Sequence, residues 1–226
     1  MTTALNGSPA GRVAVVTGGS RGVGAATARR LAARGHAVVV NYLHDQRAAE
    51  ATVEAILANN GEVVAIRADV ADELDVERLF AETAAAFGGV DVVVHTVGSH
   101  RTATLVTGVG LDEFDALVRL NTRAAFVVNR EAARHLRHGG AIVNLSSSAD
   151  DSSLMAHGLY VATRATTNVL TQALALELRE RDITVNAVSP VVGRPCPPER
   201  VADVIAYLIS DHHHLTGRVL RVSDRH

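Results

Sequence analysis

Seven short runs of this chain are apolar or nearly so along their length: Val13 to Val16, Ala37 to Val40, Val63 to Ile66, Val90 to Val94, Ala141 to Leu145, Ile183 to Val188 and Val219 to Val222. A strand with no polar face has nothing to offer water, so each run must be covered on both sides. Segments with helical spacing separate the runs, and a parallel sheet wrapped by its own connecting helices meets both demands. The expected fold is α/β, a doubly wound sheet of about seven mostly parallel strands with helices on both faces. Aromatic residues make up only 3% of the chain, so Ala, Val and Leu must fill the core, which favours close contact of helix on sheet.

The helices carry their own stop signals. Glycine tolerates the left-handed backbone that commonly ends a helix, and Gly35, Gly61 and Gly88-Gly89 follow the first three helical segments. A fourth helix is expected from about Leu111 to Arg137, a fifth over roughly Ala156 to Arg181, and a sixth after Pro197-Pro198. At 226 residues the chain suits one domain with a substantial core. Residues 1 to 10 read as a lead-in without order, and 11 to 226 as a single dinucleotide-binding and catalytic domain.

Charge and cysteine usage exclude several functions. The 22 basic and 24 acidic residues are interspersed, so no basic stripe points to nucleic acid. Cys196 is the only cysteine, which excludes an internal disulfide and a cysteine-rich zinc site and suits a reducing compartment. No run is long enough to cross a bilayer and the first ten residues lack the features of a signal peptide. The expectation is a cytoplasmic protein with no membrane or nucleic-acid partner.

The first run leads straight into Thr17-Gly18-Gly19-Ser20-Arg21-Gly22-Val23-Gly24 and then a helical segment. Strand, glycine turn and helix in that order form a phosphate cradle: glycine lets the backbone approach an anion, and the N–H groups opening a helix favour negative charge. A second strand after the helix supplies the βαβ setting that such a turn requires. In open sheets of this kind ligands bind beyond the carboxyl ends of the strands. Those ends are Thr17, Asn41, Asp69, His95, Ser146 to Ser148 and Ser189-Pro190, polar where the strands behind them are apolar.

Taken together these motifs resemble the short-chain dehydrogenase/reductase family, closest to its 3-oxoacyl-carrier-protein reductase type. Thr17 to Gly24 is similar to the family's glycine turn. Asp69-Val70 is similar to the pair whose carboxylate meets adenine, and Asn121 in Leu120-Asn121-Thr122 to the helix asparagine of the catalytic tetrad. Ile142 to Ser147 is similar to the strand that delivers the catalytic serine, and Tyr160 lies thirteen residues beyond Ser147, the family's interval. The resemblance spans about Gly11 to Val222 and implies a Rossmann-type fold. It also implies an NADP(H)- or NAD(H)-dependent hydride transfer between nicotinamide and a carbonyl or alcohol substrate. Tyr160 would give the proton, Ser147 would hold the carbonyl oxygen, Asn121 would anchor a relay water, and a cation four residues after the tyrosine would contact ribose. Gly18, Ser20, Arg21, Gly22, Val23, Gly24, Asn41, Tyr42, Asp69, Val70, His95, Gly98 and Pro190 would line the cofactor. Family members commonly form dimers or tetramers through the helices bearing Asn121 and Tyr160 and through the last strand, which implies a homodimer or homotetramer here.

The chain departs from that pattern at several points. The usual lysine after Tyr160 is Arg164, which keeps the charge on the same helix face but replaces a compact ammonium by a broad planar fork. The usual Asn-Asn-Ala-Gly is His95-Thr96-Val97-Gly98, and Pro190 is followed by Val191, with Arg194 at the position of the nicotinamide-contacting threonine. Only Val191 to Cys196 separate Pro190 from Pro197, too few for a substrate lid. Impaired turnover in a cofactor-binding partner subunit, or action on a bulky substrate of secondary metabolism, are therefore the rival readings. An acidic residue ending the second strand would select NAD(H); Asn41-Tyr42 stands there, and Arg21 offers a cation to a 2′-phosphate, so the expected cofactor is NADP(H). Asn121 either serves the site or shapes its long helix, and His95 either titrates in the cleft or is a satisfied core histidine. Asn144 satisfies backbone groups nearby, and Ser146 and Ser148 are strand-end hydroxyls. Arg101 and Arg123 either face an anionic substrate or are solvated, and His212-His213-His214 reads as a solvated loop rather than a metal tract.

Overall fold

The computed structural model describes residues 11–99, 104–149, 151–192, 196–210 and 215–223. The lead-in at 1–10, Arg101, Arg194 and His212-His213-His214 lie outside the described residues. Seven strands form one sheet in the order β3-β2-β1-β4-β5-β6-β7. These are β1 (Val13–Thr17), β2 (Ala37–Tyr42), β3 (Val63–Arg67), β4 (Val90–His95), β5 (Leu136–Leu145), β6 (Thr184–Pro190) and β7 (Val219–Val222). Every pairing is parallel, so the Rossmann-type fold read from the seven apolar runs is the fold of the protein, without an antiparallel member.

Helices cover both faces, as strands without a polar side demand. Val13, Val15, Val93, Ile142 and Val185 point to one face and pack with Leu79 and Phe80 of α3 (Glu73–Phe87), Val127 and Val128 of α5 (Ala124–His135) and Leu174 of α6 (Asp151–Glu177). The α4 helix (Leu111–Leu117) precedes α5. The alternate residues Ala14, Val16, Val38, Val92 and Val143 meet Leu31 of α1 (Gly22–Ala32), Ile56 of α2 (Gln46–Leu57) and Ile205 and Leu208 of α7 (Pro198–Ile209) on the other. Alanines 25, 26 and 28 of α1 and 202 and 206 of α7 are buried, and their small side chains let these two helices approach closely. That is how a core with few aromatics stays dense. Among the described residues no helix is long and apolar enough to cross a membrane.

Three element boundaries differ from the sequence expectation, each for a local reason. The fourth helical stretch is not continuous: between α4 and α5, Val118–Arg123 forms a π turn, which swings Asn121 inward to full burial. The strand after α5 starts at Leu136 rather than Ala141, because Leu136 is buried against the sheet and pairs with Val90. The next helix begins at Asp151 and is broken at His157 (φ −130°, ψ 23°), then stops at Glu177, with a 3-10 turn at Arg179–Arg181. Gly61 does not supply the left-handed turn after α2; Asn60 does, at φ 58°. Gly61 is needed for space, since a Cβ there would lie 2.6 Å from the Ile56 side chain.

Candidate functional site

The polar strand ends gather along one edge of the sheet, and the glycine turn occupies its centre. Gly18 and Gly22 have φ of 65° and 53°, backbone that a side chain would strain. A Cβ on Gly24 would lie 2.1 Å from the Gly18 carbonyl oxygen, so the turn can fold back on α1 only without one. Arg21 precedes α1 in extended conformation; no side chain caps that helix and its first turn holds no acidic residue. These are the features that receive a diphosphate. Ser20 and Val23 are half-buried beside them.

Asn41 is buried under the turn. Its Oδ1 accepts from the Gly18 N–H at 3.3 Å and its Nδ2 donates to the Ala68 carbonyl at 3.1 Å, while its own carbonyl accepts from Gly19 N–H at 2.9 Å. The asparagine braces the cradle from below and leaves the neighbouring half-buried Tyr42 at the cleft. Arg21 is 74% exposed and lies 3.3 Å from Asp45. Asp45 also caps α2, its Oδ1 accepting from Ala48 N–H at 3.0 Å. Asp45 is legible in the sequence only as a helix cap, an aspartate standing just before a helical pattern.

At the end of β3, Val70 is buried and Asp69 is one-fifth exposed. The Asp69 carboxylate accepts from Ala71 N–H at 2.9 Å and from Arg119 Nη2 at 2.7 Å. Burial alone would raise its pKa, but the Arg119 hydrogen bond, the Ala71 N–H and the Arg119 charge together hold it below the ordinary carboxylate value. Arg119 belongs to the π turn and went unnoticed in the sequence. Its only signal there is its place two residues before Asn121.

His95 ends β4 and is wholly buried, with Nδ1 3.0 Å from Thr17 Oγ1. Burial and the nearby Arg164 charge push its pKa down to about 3, so the ring is neutral at ordinary pH. The ring lies in the core, yet Nε2 has no hydrogen-bond partner among the described residues, so it is not a satisfied core histidine. Asn144, one strand over, does not serve backbone groups as expected. It exchanges reciprocal amide bonds with Asn129 at 2.8 and 2.9 Å and donates to Thr171 Oγ1 at 3.1 Å. These partners lie on α5 and α6, fifteen and twenty-seven residues away, a separation no local reading reaches.

The α6 helix brings Tyr160 and Arg164 to the same edge. Arg164 is only 2% exposed. Its Nη1 donates to the Val97 carbonyl at 2.9 Å, and its charge interacts favourably with the Tyr160 side chain. Burial lowers its pKa, and the Tyr160 contact opposes that shift. The guanidinium fits because residue 98 is glycine: a Cβ there would meet Arg164 Nη1 at 2.5 Å. Asn121 clamps the same loop from the other side. Its Oδ1 accepts from Ser99 N–H at 2.9 Å, and its Nδ2 donates to the Ser99 carbonyl at 3.3 Å and to Thr163 Oγ1 at 2.9 Å. Residues 97 to 99 are thus held by two side chains from separate helical elements.

Ser147 is 6% exposed and its Oγ donates to the Pro190 carbonyl over a long 3.4 Å, a bond easily exchanged for a better acceptor. Ser146 Oγ donates to the Arg164 carbonyl at 3.2 Å, tying the serine-bearing strand end to α6. Arg123, expected to face substrate or solvent, donates through Nε to the Ala71 carbonyl at 2.9 Å. A crevice beside Tyr160 is lined by Thr104, Val109, Leu117, Ala156 and Leu159. A separate hollow of 510 Å³ opens at the opposite ends of the strands, between Arg12, Ala175, Ile183 and Leu208, and holds none of these groups.

Comparison with known proteins gives the family and the fold. The family model for short chain dehydrogenase matches residues 12–194. The chain is 42% identical over 181 residues to Versicolorin reductase 1 of Aspergillus parasiticus, covering 80% of this chain and 69% of that protein. It is 38% identical over 180 residues to hydroxynaphthalene reductase arp2 of Aspergillus fumigatus, covering 80% and 66%. Among solved structures, a dehydrogenase/reductase from Sinorhizobium meliloti 1021 is similar with a TM-score of 0.87 and 34% identity, over 96% of this chain and 95% of that one. A short chain dehydrogenase from Burkholderia cenocepacia J2315 in complex with NADP is similar with a TM-score of 0.86 and 34% identity, over 94% and 96%.

Proposed function

This chain belongs to the short-chain dehydrogenase family, and we propose that it is an NADP(H)-dependent oxidoreductase that reduces a carbonyl or oxidises the matching alcohol. The observation that carries the reading is the meeting, at one sheet edge, of a glycine-lined diphosphate cradle with a tyrosine one helical turn from a buried cation. The reduced nicotinamide, when bound, supplies a hydride. Tyr160 gives the proton that balances it to the carbonyl oxygen, and Ser147 exchanges its long bond to Pro190 for a bond to that oxygen. Arg164 stabilises the tyrosine oxygen as the proton leaves, since an adjacent cation favours the anionic form. Asn121 and Arg164 keep the loop at 97–99 fixed beneath the reacting atoms. Gly18 to Gly24 and Asp69 would hold the cofactor, and Arg21 would meet its 2′-phosphate; the NADP found with a similar structure supports the phosphorylated form.

For the substrate, the relative named for hydroxynaphthalene supports a flat aromatic carbonyl compound. Leu105, Val106, Leu154 and Met155 are each about half or more exposed and flank the break at His157 before Tyr160, offering such a substrate an apolar wall. With few residues between Pro190 and Pro197 to cover it, the substrate would supply part of its own cover. Phe126, Val169 and Leu176 are also half or more exposed on α5 and α6 and favour assembly as a homodimer or homotetramer. The test is NADPH oxidation against a panel of aromatic and aliphatic ketones. Turnover abolished by Tyr160→Phe, with NADPH affinity kept, supports the enzyme. Tight NADPH binding without turnover, unchanged by Arg164→Lys, would instead identify a binding protein, the reading that the burial of Arg164 favours.

A further inference from the structure

The ion pair between Arg119 and Asp69 is not explained by the fold. Arg119 is 53% exposed, and among the described residues its partner is the Asp69 carboxylate at 2.7 Å. An exposed pair of this kind contributes little stability. Its geometry is nonetheless definite. One Asp69 oxygen is fixed by Ala71 N–H and the other by the edge of the guanidinium, and each carboxylate oxygen keeps a further lone pair. The Arg119 side chain, held by its edge, leaves half of its surface open. A carboxylate with spare acceptor capacity beside an open guanidinium plane suits a flat heteroaromatic ring carrying an exocyclic amine. The amine donates to the carboxylate, and the ring lies on the cationic plane.

We propose that Arg119 is a further cofactor-binding residue, which aims the Asp69 carboxylate at the adenine amine and stacks its guanidinium on the adenine ring. This rests on the dinucleotide reading above. It assigns Arg119 a role on both counts: as positioning residue for Asp69 and as direct contact to the base. The π turn makes this possible. It turns Asn121 into the interior and leaves Arg119, two residues earlier, at the surface against β3.

The experiment measures binding rather than turnover, by nicotinamide fluorescence, with NADPH and with its deaminated analogue, in which a carbonyl oxygen replaces the adenine amine. The wild type should favour NADPH by about tenfold, because a hydrogen bond to a charged acceptor is lost in the analogue. Arg119→Gln should weaken NADPH by about tenfold, as stacking and orientation are both lost, and should shrink the preference for the amine by at least roughly threefold. Arg119→Lys keeps the ion pair without the flat face, so it should keep the preference while weakening both ligands by about threefold. Equal weakening of both ligands by Arg119→Gln with the preference intact, unchanged NADPH affinity in that variant, or a wild type that does not distinguish the ligands would each overturn the proposal. A wild type that binds neither ligand would remove the dinucleotide reading itself, and this proposal with it.

Discussion

Asp45 places a negative charge where the preference for a phosphorylated cofactor is decided. Its carboxylate lies 3.3 Å from Arg21, so a 2′-phosphate reaching Arg21 must share the guanidinium with an anion already there. Two effects act in the same direction when Asp45→Asn removes that charge. The exposed pair no longer has to be loosened, which is worth about 0.2–1 kcal/mol. Repulsion between two anions on one guanidinium, about 5 Å apart and open to water, is also removed; at the dielectric of bulk water that adds roughly 1 kcal/mol. Asparagine caps a helix as well as aspartate does, so the α2 bond from Ala48 N–H has a replacement acceptor and the fold is unaffected. The expected gain in NADPH affinity is about 1–2 kcal/mol, roughly five- to thirtyfold in Kd, with NADH affinity unchanged. Fluorescence titration of both cofactors at low salt measures it, and most of the gain should vanish near 0.5 M salt, where the Debye length is about 4 Å. An NADPH to NADH affinity ratio within about twofold of wild type would refute the reasoning, since the pair would then not lie at the phosphate.

Other outcomes follow from the same contacts. Gly24→Ala should abolish measurable NADPH binding and lower the melting temperature, because its Cβ would sit 2.1 Å from a backbone oxygen that no rotamer can move. Gly98→Ala should mimic much of the effect of losing Arg164 in a turnover assay, since the new Cβ would displace the guanidinium. His95 has a folded pKa of about 3 against 6.5 for the free side chain, so it takes up its proton on unfolding. Stability should therefore fall as pH is lowered from about 6.5 towards 3, by up to about 1.4 kcal/mol per pH unit. Urea unfolding of His95→Asn across that window should show a shallower slope; an unchanged slope would mean the ring titrates in the folded protein. Asp69 has the same sign, its depressed pKa giving stability that is lost as pH falls through the folded value; Arg119→Gln should reduce that contribution, leaving the part due to the Ala71 N–H.

What the sequence made legible is what depends on short-range order. Seven buried runs specify a parallel sheet because no other arrangement covers both faces, and the cradle from Gly18 to Gly24 is one contiguous string. The end of β5 illustrates the limit. Asn144 reads locally as a strand-end amide, yet its partners arrive on two helices that only the completed fold places over it. The roles of Arg119, and of Asp45 beyond its helix cap, are hidden for a related reason. A charged residue on a surface helix or at its cap has an ordinary explanation, and only the carboxylate or cation brought opposite each one by the sheet order singles it out.

The exchange of lysine for arginine at position 164 reads in the sequence as a single departure at a catalytic position. In the folded chain it belongs to a set. A buried guanidinium without a carboxylate partner is costly, and this one is accommodated by a carbonyl at Val97, a glycine at 98 that leaves it room, and Tyr160. Its neighbour His95 is neutral, so no second positive charge is buried beside it. The Val97 carbonyl presents itself because Asn121 fixes Ser99 two residues on. Every one of these groups would have to shift to accept a shorter ammonium. Arg164→Lys alone should therefore lower stability by about 1–2 kcal/mol, through the lost Val97 bond and the space left in a buried site. If melting instead shows no loss, the guanidinium is not the support of that loop, and residue 164 acts on Tyr160 alone.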